Sequence, residues 1–217
     1  MSTRARGWSS NRERPALRGL QLLAGLALFG VSVALMIEAD LGVDPWDVLH
    51  QGIARQIGSS VGTVVVATSV VVLLLWIPLR QRPGIGTVAN ALLVGVALDL
   101  ALVALPRPDL MAGRLGFLGA GILLNGVATG MYIGAALGPG PRDGLMTGLA
   151  ARGYSIRAAR TSIEVLVLAA GWLLGGTVGV GTVLYALSIG PLAYVLIPFF
   201  AIVPPKARKD VDVTCPA

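Results

Sequence analysis

The chain has 217 residues, 55% of them hydrophobic and 13% charged, with 17 Lys and Arg against 11 Asp and Glu for a formal charge of +6. A soluble domain carries about 25% charged residues, so these charges cannot cover a water-soluble surface of this size, whereas they suffice for the two ends of a helix bundle whose sides face lipid. The positive excess does not indicate nucleic acid, because the basic residues fall in short segments between apolar runs, and the single cysteine, Cys215, excludes an internal disulfide and a cysteine metal cluster.

Segment 1–16 is basic and reads as cytoplasmic. The apolar run that follows, 17–38, is of span length, about 20 residues, and no small-residue cleavage site follows it. It reads as a retained first helix rather than a signal peptide. Further apolar runs cover 60–79, 86–105, 115–136, 160–176 and 180–203, and a polar tail occupies 204–217. In lipid the backbone must satisfy its own hydrogen bonds, so the runs predict helices. Orientation follows from lysine and arginine. Arg4, Arg6, Arg12, Arg14 and Arg18 precede or open the first run. Arg80 and Arg82 lie between the second and third, Arg142, Arg152, Arg157 and Arg160 around the fourth-to-fifth connection, and Lys206, Arg208 and Lys209 in the tail. The alternate connections hold only Arg55, Arg107 and Arg114. Fourteen against three predicts six spans with both termini cytoplasmic.

The chain also repeats itself. Leu41-Gly42-Val43-Asp44-Pro45-Trp46-Asp47-Val48-Leu49 and Gly52 match Leu137-Gly138-Pro139-Gly140-Pro141-Arg142-Asp143-Gly144-Leu145 and Gly148 in the pattern L-G-x-x-P-x-D-x-L-x-x-G, at an offset of 96. Trp76 and Trp172 share that offset, and Gly84-Ile85-Gly86-Thr87 matches Gly179-Val180-Gly181-Thr182 at 95. Such self-similarity marks a duplicated unit. The units are 17–105 and 106–203, with three spans each. An odd number of spans inserts the second copy upside down. The expectation is an all-α membrane protein of six transmembrane helices in two inverted three-helix repeats, an architecture of many secondary transporters.

Each motif predicts a local break. Gly42 and Gly138 end a long helix, and Pro45 and Pro141 open a short one, over about 45–57 and 141–153. Asp44 is an expected N-cap, and Asp47 and Asp143 fall in the first turn, where a carboxylate complements the helix dipole. Whether the short helices lie at the interface or re-enter the membrane stays open. So does the role of Asp47 and Asp143: helix-start residues alone, or the lining of a polar site where the two breaks meet. Asp99, flanked by apolar residues on the third span, is a candidate binding carboxylate or the outer end of its helix. Asn90 and His50 are further candidates. A histidine ordinarily titrates near neutrality, but the repeat partner of His50, Met146, does not titrate. Asn90 and Asn125 also suit helix-helix contacts, Glu164 suits a pair with Arg157 or Arg160, and Trp46 suits the membrane interface.

The L-G-x-x-P-W-D-x-L-x-x-G segment, followed by G-x-G-T-x-x-N from Gly84 to Asn90, resembles the YczE/YitT-like family of bacterial integral membrane proteins over about residues 15–205. The resemblance implies a bacterial cytoplasmic membrane and carries over no catalytic residues. No metalloprotease, nucleophile-elbow or Ser-Lys motif occurs, so no enzymatic activity, cofactor or metal is expected. The expected partners are the bilayer and a small solute, with homo-oligomers allowed. The leading reading is a small transporter or permease; the other is a scaffold or regulatory partner of another membrane protein.

Overall fold

A computed structural model describes residues 15–202. Almost all of that stretch is helical: α1 (Pro15–Ala39), α2 (Pro45–Ile57), α3 (Val61–Trp76), α4 (Ile85–Ala104), α5 (Met111–Gly134), α6 (Pro141–Ala150), α7 (Ile156–Leu173) and α8 (Val180–Phe200). The arginines before Pro15, the tail cations Lys206, Arg208 and Lys209, and Cys215 lie outside the described residues. Helices α1, α4, α5 and α8 are each long and apolar enough to cross a membrane. Helices α2 and α3 are long and apolar enough only as a pair, bent by 113° at the turn between them, and add a fifth crossing if the pair is one span. The apolar run expected at 160–176 falls in α7, whose first half carries Arg157, Arg160 and Glu164. Length and composition alone therefore give four or five crossings where the sequence predicts six.

Helix α1 is the spine, packed between α4 and α5. Leu22, Leu26, Val33 and Met36 are buried along it. Its small residues allow close crossings, which is how helices in lipid gain packing energy. A Cβ added at Gly30 would stand 2.6 Å from both Ala97 Cβ and Leu98 N on α4. The opposite kind of surface is apolar and outward, as lipid requires: Val103 of α4 is 89% exposed and Leu173 of α7 83%.

α1 and α5 run antiparallel, and each ties the other's end with an arginine. Arg18 Nε donates to the Ala135 carbonyl at 2.8 Å and Nη2 to Ala136 at 2.7 Å. Arg114 Nε donates to the Ala39 carbonyl at 2.7 Å and Nη2 to Asp40 at 2.8 Å. The last carbonyls of a helix have no intrahelical donor, and a cation there also complements the negative end of the dipole. Both arginines and both pairs of carbonyls are 96 residues apart in the chain.

Candidate functional site

The two breaks are built alike. Past α1, Asp40 and Gly42 take φ of +50° and +108°; past α5, Ala136 and Gly138 take +53° and +131°. Each break then seats on the G-x-G-T turn of the other half. The Gly181 N–H donates to the Leu41 carbonyl at 2.7 Å, and the Gly86 N–H to the Leu137 carbonyl at 3.0 Å. A Cβ on Gly42 would stand 2.6 Å from Gly179 N, and one on Gly138 2.9 Å from Thr87 Oγ1. Glycine is thus required at both positions for the left-handed backbone and for the approach.

Chain direction restarts at the prolines. Asp44 Oδ1 accepts from the Asp47 N–H at 2.7 Å, the N-cap expected for α2. In the second copy Gly140 stands at the N-cap and Pro141 opens α6. The arginine of the second motif then crosses to the carboxylates of the first. Arg142 Nη1 lies 3.2 Å from Asp44 Oδ2, and Nη2 lies 3.5 Å from Asp47 Oδ1. The same guanidinium sits over the Trp46 indole, 5.3 Å from the ring centroid. Behind this pair, His50 bridges Asp47 (Nδ1 to Oδ1, 2.9 Å) and Thr68 (Nε2 to Oγ1, 2.9 Å). With Asp47 ionised, the ring hydrogen sits on Nδ1.

A cavity of about 260 Å³ opens between the breaks, and all eight helices contribute to its wall. Asp44, Trp46, Asn90, Tyr132, Arg142 and Asp143 are among its polar lining, and Phe29, Val65, Val94 and Ile189 among its apolar lining. Tyr132 donates its hydroxyl to Asp143 Oδ2 at 2.5 Å. Arg160 and Glu164 line the rim and pair with each other at 2.9 Å, as their spacing on α7 predicts. Next to the cavity, Asn125 joins three helices: it donates to Ser32 Oγ at 2.9 Å and accepts from the Tyr185 hydroxyl at 3.0 Å.

The structure therefore separates the sequence candidates. Asp143 and Asn90 face the cavity. Asp47 and His50 are buried one layer behind it, 1% and 2% exposed. Asp99 lies elsewhere: its carboxylate accepts from Ser60 Oγ at 2.6 Å and from the Gly62 N–H at 2.8 Å, holding the start of α3. Gly42, Pro45, Gly138 and Pro141 shape the two breaks. Trp46, expected at the membrane interface, is 8% exposed and forms cavity wall, because Arg142 draws it inward. Sequence reasoning did not give Arg142 a partner, nor did it single out Tyr132 or Tyr185. The signal for Arg142 is the exchange of tryptophan for arginine in otherwise matching P-x-D motifs.

Residues 16–198 match a family of unknown function, DUF6198. The chain is 40% identical over 184 residues to an uncharacterised protein of Haemophilus influenzae, covering 84% of each. It is 32% identical over 182 residues to YczE, an uncharacterised membrane protein of Bacillus subtilis, covering 82% of this chain and 85% of that one. No solved structure matches the chain.

Proposed function

We propose that this chain, which belongs to the DUF6198 family and with it to the YczE-like membrane proteins, is a small transporter that binds its solute in the cavity between the two breaks. The observation that carries this reading is the cavity itself. Charged groups from both breaks, Asp44 from one and Arg142 and Asp143 from the other, meet in one polar space inside an apolar bundle. Ionisable side chains are expensive at membrane depth, and those that face an internal cavity mark solute or ion paths. The fold is read as six spans in two inverted repeats, with α2–α3 and α6–α7 as broken spans, in the bacterial cytoplasmic membrane with both termini inside. The reciprocal arginine caps and the reciprocal seating of the breaks support that symmetry. No catalytic step is assigned to the site.

Purified full-length protein in proteoliposomes, offered a labelled metabolite panel under proton and sodium gradients, tests the proposal. At least one solute is expected to accumulate, and Asp143→Asn to abolish its uptake. A wild-type protein that moves no solute under any gradient overturns the reading and leaves a membrane partner protein in its place. Single cysteines at 82 and 152 are expected to label from the cytoplasmic side, and one at 107 from outside; any other pattern defeats the six-span arrangement.

A further inference from the structure

We infer that the cavity takes a small protonated amine that also carries a hydrogen-bond acceptor, with Asp143 as its counter-ion; this rests on the reading of that cavity as the solute site. The cavity wall holds two cations, Arg142 and Arg160, against three carboxylates, Asp44, Asp143 and Glu164. The cations are already engaged. Arg142 pairs with Asp44 and reaches Asp47, and Arg160 pairs with Glu164. Among the described residues no cation lies within ion-pair distance of Asp143, which accepts the hydroxyl of Tyr132 on Oδ2; Arg142 and Arg160 act on its charge only from farther off. An anionic solute would have to displace a carboxylate from an arginine, whereas a cationic one finds a carboxylate waiting.

The chemistry of the wall narrows the cation. No group of three or more His, Cys, Asp or Glu side chains converges to hold a metal ion among the described residues. The space, about 260 Å³, is far larger than a bare ion. Phe29, Val65, Val94 and Ile189 give it an apolar side, which suits an organic body beside the charged nitrogen. A second, independent observation points to the acceptor. Trp46 is part of the wall and 92% buried, and its indole Nε1–H has no hydrogen-bond partner among the described residues. Unpaired buried donors are rare because each costs its full desolvation. Nε1 is itself covered in this structure, so a hydroxyl or carbonyl oxygen on the ligand reaches it once the indole turns toward the space.

Detergent-purified full-length protein is titrated calorimetrically at neutral pH with ethanolamine and phenylalaninol, and in parallel with their deaminated analogues ethanol and phenylpropanol. The expected result is saturable binding of an amino alcohol, with its analogue weaker by roughly tenfold or more, the value of one charge-assisted contact. Asp143→Asn is expected to erase that preference, Asp143→Glu to keep it, and Asp99→Asn, remote from the cavity, to leave it unchanged. The inference is overturned if neither amine binds, if amine and alcohol bind alike, or if Asp143→Asn keeps the preference. Should Asp143→Asn fail to fold, the wild-type comparison decides alone. Binding is read without transport, so the two readings fail separately. An amine that binds but is never carried across removes the transporter and keeps the site. A neutral solute that is carried, with no amine bound, does the reverse.

Discussion

Arg142 Nη1 stands 3.2 Å from Asp44 Oδ2, so the residue after one proline break neutralises the N-cap of the other. Asp44 and Asp47 are 3% and 1% exposed, and removing Arg142 leaves the two buried carboxylates with only the Asp47 N–H and the His50 ring as partners. Breaking such a pair from one side costs about 3 kcal/mol or more. Arg142→Gln is therefore expected to lower stability by about that amount in reversible unfolding in mixed micelles. Adding Asp44→Asn and Asp47→Asn to it is expected to recover most of the loss. An Arg142→Gln protein as stable as the wild type would show that the link between the breaks carries no energy.

The arginine caps at the two ends of the α1–α5 pair give a second expectation. Arg18 and Arg114 each donate charge-assisted hydrogen bonds to carbonyls that end a helix. Both are partly exposed to solvent, so each replacement by Ala is expected to cost about 1–2 kcal/mol, the lower range for such bonds. The caps sit at opposite ends of the helix pair and share no partner. The double variant should therefore lose the sum of the two within about 0.5 kcal/mol. Arg114, which also pairs with Asp40 Oδ2 at 2.9 Å, is expected to cost at least as much as Arg18, and strongly coupled losses in the same unfolding assay would contradict independent caps.

The punctuation of the chain is what made it legible. Leu-Gly before each break and Pro-x-Asp after it fix local geometry through backbone sterics and capping, which act within a few residues. The short helices accordingly begin at Pro45 and Pro141 as read from sequence. The Arg18 and Arg114 caps were also within reach, since they obey the same offset of 96. What crosses between the repeats was not legible. Nothing local says that Arg142 turns toward Asp44 and Asp47, or that Trp46 is drawn inside with it. Those placements depend on how two distant breaks meet. Asp99 was ambiguous for a related reason: an apolar neighbourhood in sequence does not reveal that the start of α3 supplies two donors to it.

Packing at the α1–α4 crossing gives a third prediction. Any side chain at Gly30 meets Ala97 Cβ and Leu98 N at 2.6 Å, which backbone on both sides cannot yield cheaply. Gly30→Val is expected to force the helices apart at a cost of about 1–3 kcal/mol. Gly19 lies on the same helix with nothing within 4 Å of an added Cβ, so Gly19→Ala should hold stability or raise it by up to about 1 kcal/mol. Equal effects of the two in a thermal unfolding series would mean that the crossing is not as close as described.

The two carboxylates Asp99 and Asp143 should separate stability from binding. Asp99 accepts from Ser60 Oγ and the Gly62 N–H and so fixes the turn from α2 into α3, far from the cavity. Its replacement by Ala strips two acceptor contacts, one from a backbone N–H at the start of α3. That is expected to cost about 1–3 kcal/mol while solute affinity stays unchanged in the folded fraction. Among the described residues Asp143 accepts only from Tyr132, and it lines the cavity. Its replacement by Asn keeps an acceptor for the tyrosine and removes a charge that no cation contacts directly, although Arg142 and Arg160 lie close enough to feel it. Stability is then expected to hold or rise, and affinity to fall. The pair of measurements, unfolding midpoint and calorimetric affinity on each variant, gives opposite patterns if the cavity is the site. The same pattern for both variants would mean that Asp143, like Asp99, serves only to hold the start of a helix.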